Sequence, residues 1–300
     1  SRVRLVTTPN RGKARALQTG FVVADHEVLV TLDADTRFTP DTIAHLVAPL
    51  RDDTVAAVSG HVRVGNARTF IARCQSLEYI CGFNLDRRAY DLLDCITVVP
   101  GAASCLRKSA VIAAGGISTD TLAEDTDLTL ALHRLGRQVR YAPQAIAWTE
   151  VPESFTDLTR QRFRWGFGTL QCLWKHRDLV FKPGQGPLGW FSLPGTWFFQ
   201  IFLVALTPLV DLLLLLSLFW GAGAEISLYF VVFLLTDLFL AVAACLVEGE
   251  PLRQAWLMVP MRFLYRPLLA WVVWKSIQKA LKGAWVRWDK LKRTASVVTH

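Results

Sequence analysis

Apolar and polar positions alternate in short blocks through the first half of the chain, then give way to long apolar runs. "RVRLVTT" (2–8) has the alternation of a strand, and "RGKARALQTGFVVA" (11–24) sets Ala14, Leu17, Phe21 and Val22 on one side of a helix. "EVLVTLDAD" (27–35) predicts an apolar strand closing on acids. "TPDTIAHLVAPL" (39–50) predicts a helix capped by Thr39 with Pro40 in its first turn, and "TVAAVSG" (54–60) a further strand. In "CITVVPGAASCLRKSAVIAAGG" (95–116) the pattern gives a strand, a turn at Pro100 to Ala102 and a helix from about Lys108 to Ala114. Two more helices follow, from Glu124 to about Leu135 and from Thr159 to His176. Such alternation predicts an α/β fold, a parallel sheet with helices on both faces.

The second half reads differently. Trp190–Trp220 and Ile226–Val247 each exceed the roughly 20 apolar residues needed to span a bilayer, with the first part around "WFSLPG" in the interface. Ala255–Trp274 carries Arg262, Arg266, Pro260 and Pro267, so it is either re-entrant or broken, or orientation is set elsewhere. Asp211 and Asp237 either line a polar path or pair with Arg262 and Arg266. The break near Lys182 to Pro187 divides the chain into 1–153, an interfacial 154–189, and a membrane part with a basic amphipathic tail, 190–300. His176 and Lys182 precede the first apolar run, and the connector "GAGAE" has no cation. That asymmetry predicts a multi-pass protein of the plasma membrane with its first half cytoplasmic.

Composition supports the division. A content of 52% hydrophobic residues with 11 Trp exceeds that of soluble domains, and 19% charged residues excludes a wholly lipid-embedded chain. Much of the +8 net charge flanks the apolar runs, including Arg287, Lys290, Lys292 and Arg293, which points to anionic lipid and away from nucleic acid. The six cysteines show no zinc spacing and no disulfide framework, and read as buried free thiols.

Residues that close a strand face the ligand cleft of an open sheet. Asp33 and Asp35 either hold a hard divalent ion against a diphosphate or form a polar turn with Thr36. Gly101 to Ser104 are small enough for close approach of a ligand or for tight packing. In "AEDTDLTLAL" (123–132), Glu124 and Asp127 suit the helix N-terminus, which leaves Asp125 for the cleft as a proton acceptor. Within "QRFRW" (161–165), Arg162 and Arg164 lie at different azimuths, and Trp165 offers a flat wall for a sugar ring or an anchor for lipid.

In order, "GKA" (12–14), "DAD" (33–35), "PGA" (100–102), "AED" (123–125) and "QRFRW" resemble the motifs of processive family-two glycosyltransferases, among them cellulose, chitin, hyaluronan and poly-N-acetylglucosamine synthases. "QSLEYICGF" (75–83) and the C-terminal segment look most like the poly-beta-1,6-N-acetylglucosamine branch, whose product is an exopolysaccharide of biofilms. The resemblance implies a GT-A, Rossmann-like nucleotide-sugar domain, N-terminally incomplete because a first strand and aspartate motif are missing, followed by an α-helical transmembrane region. It implies Asp125 as catalytic base, with Ala123 replacing the usual Thr of the motif. Lys13, Asp33, Asp35 and Arg164 would bind the nucleotide sugar, with Asp33 and Asp35 on a divalent metal, Mg or Mn. Gly101, Ala102, Glu124, Gln161 and Trp165 would bind the acceptor. The implied partners are a UDP-sugar, the growing polysaccharide and the bilayer, with room for a small membrane partner subunit. Two other classes remain: a non-processive lipid-phosphate glycosyltransferase, which has no need of "QRFRW", and a silent membrane scaffold, which has no need of the three aspartates.

Overall fold

The structure is a computed structural model that describes residues 3–219 and 223–283. Arg287, Lys290, Lys292, Arg293 and the start of the "GAGAE" connector lie outside the described residues. Five strands form one sheet: β1 (Val28–Leu32), β2 (Arg37–Phe38), β3 (Val55–Val64), β4 (Ala103–Arg107) and β5 (Gln138–Thr149), in the order β1-β4-β3-β5-β2. Successive side chains point to opposite faces. Ala57 and Leu106 therefore join Phe21, Leu132 and Val139 in one core, while Val58 and Cys105 join Leu46 and Ala142 in another. Helices α1 (Lys13–Val23), α5 (Lys108–Ala113) and α6 (Glu124–Arg134) supply the first core, and α2 (Thr42–Val47) the second.

The sheet is mixed, contrary to the parallel sheet that the alternation predicts. β3 and β5 are parallel, but β4 runs antiparallel to both β1 and β3, and β2 antiparallel to β5. The cause lies at 95–102. Residues 95–100, expected as a strand, form none, because their backbone is engaged by α6: Thr129 Oγ1 accepts from Val99 N at 3.1 Å, and His133 Nε2 bonds Ile96 O at 2.8 Å. The turn at 100–102 then sends the chain back as β4.

Three further expectations are corrected. Residues 3–8 are exposed and join no strand, since a strand needs a neighbouring ladder and β1 pairs only with β4. Helix α2 begins at Thr42 because Thr39 and Pro40 are held in a turn, with Thr42 N donating to Thr39 O. Val22 is exposed although Phe21 is buried.

Beyond β3 runs a helix in three parts: α3 (Phe70–Glu78), a π-helical turn (Tyr79–Asn84) and α4 (Leu85–Leu92). Helix α7 (Phe155–Lys175) starts at Ser154, whose hydroxyl accepts from Asp157 N. A second π-rich stretch follows: π turn Leu188–Ser192, α8 (Leu193–Gly195), π turn Thr196–Leu203, and α9 (Val204–Phe219). Then come α10 (Gly223–Glu248) and α11 (Met258–Leu281), the latter unbroken despite Pro267 and packed against α7. Among the described residues, two helical stretches, Leu188–Val210 and Ser227–Glu248, have the length and apolarity to cross a membrane. Asp237 of α10 pairs with Arg262 at 3.2 Å and with Arg266 at 2.7 Å, so one carboxylate bridges two cations of α11. Of the cysteines, Cys74, Cys95, Cys105, Cys172 and Cys245 are buried, Cys81 is half-buried, and all are free thiols.

Candidate active site

A cavity of about 590 Å³ opens between the sheet, the α3–α4 helix, α6, α7 and α11. Its polar end is built by chain segments that the sequence keeps far apart. Lys13 opens α1 behind Gly12, whose φ of 94° is one that few residues but glycine adopt. The Lys13 ammonium lies 2.9 Å from Asp33 Oδ1 and 3.9 Å from Glu124 Oε1. Burial works against its charge, but Asp33 and Glu124 hold its pKa above the ordinary value. Gly101 faces this ammonium, and a side chain there would occupy its space.

The N-terminus of α6 places Glu124 and Asp125 on the cavity wall. Burial first, and then the Asp125 charge, push Glu124 up to about 7. Burial also raises Asp125, against the charges of Lys13 and Arg87. Asp125 Oδ1 accepts from Thr126 N at 2.8 Å. Asp127 does not serve the helix end as expected: it is buried, accepting from His176 at 2.7 Å and Lys175 at 2.8 Å. Against the cost of burial, these hydrogen bonds hold its carboxyl below the usual range.

Helix α7 supplies the facing wall with Gln161, Arg164 and Trp165. Arg162, also on the cavity wall, is tied into a buried cluster, where it donates to Glu78 at 2.6 Å and to Tyr265 at 3.2 Å. Its guanidinium also lies 4.4 Å from the Trp165 ring centre, and Phe83 meets that ring edge-on at 5.9 Å. Trp165 is therefore fixed on one side and faces the cavity on the other.

The structure thus brings Lys13, Asp33, Gly101, Ala102, Glu124, Asp125, Gln161, Arg164 and Trp165 to one cavity. Asp35 lies outside its lining, with Thr36 Oγ1 donating to its carboxylate at 3.3 Å. Asp33 and Asp35 are hard oxygen donors of the kind that suits Mg or Mn, and Asp33 already balances a cation, the Lys13 ammonium. No cluster of three or more ligand side chains occurs among the described residues, so a metal here would take its remaining ligands from the substrate and water.

Sequence reasoning missed the π turn, which carries Tyr79, Gly82 and Phe83 into the cavity and is followed by Arg87. The available signals were a glycine within an aromatic helical stretch and two adjacent arginines, Arg87 and Arg88, near its end. Such π-helical insertions recur at functional sites. It also gave no role to Gly168. A Cβ there would sit 2.8 Å from Ala123 N and 2.9 Å from Ala123 Cβ, so the close approach of α7 to the start of α6 requires glycine. Alanine would improve helix propensity by about 1 kcal/mol, but a clash with backbone costs about 1–3 kcal/mol. Gly168→Ala is therefore expected to lower the thermal midpoint, and a raised midpoint would show that the contact yields.

Residues 28–247 match the family profile described as "Glycosyl transferase family group 2". The chain is 31% identical over 180 residues to the poly-beta-1,6-N-acetyl-D-glucosamine synthase of Staphylococcus aureus (strain COL), which covers 60% of this chain and 44% of the relative. It is 32% identical over 165 residues to the synthase of the same name from Staphylococcus epidermidis, covering 55% of this chain and 40% of the relative. The match thus spans less than half the length of these curated relatives. Among solved structures, the mannosyltransferase PcManGT from Pyrobaculum calidifontis, in complex with GDP-Man and Mn2+, superposes with a TM-score of 0.58 at 20% identity. The superposition covers 91% of this chain and 68% of that one, and it shows the shared GT-A fold.

Proposed function

This chain belongs to glycosyl transferase family group 2, and on that premise we propose that it processively transfers a sugar from a UDP-sugar to a growing β-linked polysaccharide and exports the product. The observation that carries this reading is the convergence of Lys13, Asp33, Asp125, Gln161, Arg164 and Trp165 on one cavity. The likeness to poly-beta-1,6-N-acetyl-D-glucosamine synthases supports UDP-N-acetylglucosamine as the donor.

In this reading the acceptor hydroxyl is deprotonated by Asp125 and attacks the anomeric carbon in a single inverting displacement. Arg164 and Lys13 neutralise charge on the departing diphosphate. Asp33 and Asp35 would hold a divalent cation, which supplies further positive charge against the diphosphate when bound. Trp165 gives the sugar a flat apolar face. The cavity continues from these residues to Phe199 and Val204 and to Leu269, Val272 and Val273 of α11, which supports passage of a glycan toward the apolar helices. In the membrane, Leu188–Val210 and Ser227–Glu248 would cross the bilayer with the sheet domain on the cytoplasmic side.

Arg164→Ala is expected to weaken UDP binding at least tenfold, the cost of losing charge-assisted hydrogen bonds. Titration of full-length protein with UDP and with GDP measures this, and unchanged UDP affinity would remove Arg164 from the diphosphate. The pH dependence has a defined sign. Asp125 accepts a proton only when ionised, and its pKa is raised by burial, so turnover falls as pH drops through that raised range. The Lys13 charge opposes the rise. Lys13→Ala should accordingly move the acid limb of the kcat profile to higher pH, whereas an unmoved limb would separate Lys13 from Asp125.

A further inference from the structure

Arg87 of α4 is one of the most deeply buried charges in the protein, 7% exposed, and it lines the cavity. Among the described residues no hydrogen-bond partner reaches its Nε or Nη1. Its adjacent acid, Asp86, lines the same cavity and acts on it through space, but no hydrogen bond or ion pair joins the two. The guanidinium lies 5.8 Å from the centre of the Phe83 ring. Burying an unpaired cation is costly, and a well-packed apolar side chain would give a more stable helix there. Across the same cavity, Gln161 is 5% exposed and its Oε1 also lacks a partner. Donors from Arg87 and an acceptor from Gln161 therefore wait in one space, beside Phe83 and Trp165. A diphosphate would satisfy only the donors. A saccharide satisfies both, because each hydroxyl both gives and receives a hydrogen bond.

Building on the glycosyltransferase reading, we infer that Arg87 and Gln161 together grip the acceptor saccharide, with Arg87 Nε and Nη1 donating to its oxygens and Gln161 Oε1 accepting from a hydroxyl. Arg87 is thus an acceptor-binding residue distinct from the donor group of Lys13, Asp33 and Arg164. Phe83 and Trp165 supply the apolar faces between the two polar contacts.

The test uses purified full-length protein in detergent and three readings: the thermal midpoint, UDP affinity, and affinity for a β-1,6-linked N-acetylglucosamine oligosaccharide. Arg87→Met should leave the midpoint unchanged or raise it and leave UDP affinity within about twofold. It should weaken the oligosaccharide at least about tenfold. Arg87→Lys, which keeps the charge and loses the fork, should fold like the wild type and bind the oligosaccharide less tightly than it. A lowered midpoint with oligosaccharide affinity kept in either variant would make Arg87 structural and overturn the inference. Weakened UDP with unchanged oligosaccharide would overturn it in favour of the donor side. Wild-type protein that binds UDP but no oligosaccharide sinks this inference and leaves the nucleotide-sugar reading standing. Failure to bind any nucleotide sinks that reading instead, while the oligosaccharide titrations still decide the role of Arg87.

Discussion

Asp125→Asn is expected to slow turnover about 10²- to 10⁴-fold, the range for loss of a positioned general base, with UDP affinity within about twofold of wild type. The amide is nearly isosteric, and its carbonyl oxygen can still accept from Thr126 N, as Asp125 Oδ1 does at 2.8 Å. What it cannot do is take a proton. Burial raises the Asp125 pKa, against the charges of Lys13 and Arg87, and a raised pKa makes a carboxylate the stronger base. Rates of UDP release at saturating donor, together with UDP titrations, separate catalysis from binding. Near-normal turnover would transfer the role of base to another group, with Glu124 next in line because it shares the cavity wall.

The second large effect concerns stability. Glu78→Ala should destabilise the protein by about 3–5 kcal/mol, because it strands the buried Arg162 cation. Glu78 Oε2 accepts from Arg162 at 2.6 Å and from the Tyr265 hydroxyl at 2.6 Å, so one carboxylate joins α3, α7 and α11. The Arg162 side chain is 7% exposed. Removing both charges should cost much less than removing one, since an apolar pair of similar volume avoids the desolvation penalty. Glu78→Ala combined with Arg162→Met should thus recover most of the lost thermal midpoint in detergent. A double variant as unstable as the single one would assign the loss to packing.

Sequence patterns carried the elements that bury one face. The apolar spacing of 11–24, 124–135 and 159–176 finds α1, α6 and α7, the last starting four residues earlier than expected, because each packs a stripe against the sheet or another helix. The direction of β4 was not legible. It depends on whether residues 95–100 find a ladder or the side chains of Thr129 and His133, a choice made some thirty residues later in the chain. The site shows the same division. Acids at a strand end and at a helix start announce a polar cleft, and Lys13, Asp33, Glu124 and Asp125 do meet there. Asp127 read, with Glu124, as an acid of the helix end, yet its place on α6 turns it toward His176 and Lys175. Arg87 escaped notice because nothing in a helical run of "LDRRAYD" tells a buried arginine from a solvated one.

The central claim is sugar transfer from a UDP-sugar at this cavity. The most direct measurement supplies full-length protein in membranes with a panel of nucleotide sugars, follows UDP release with and without divalent metal, and weighs any polymer formed. Metal-dependent release from UDP-N-acetylglucosamine, with a long polymer, is the predicted result. Release without polymer would contradict processive synthesis in favour of single transfer, and no release from any donor would contradict the claim itself.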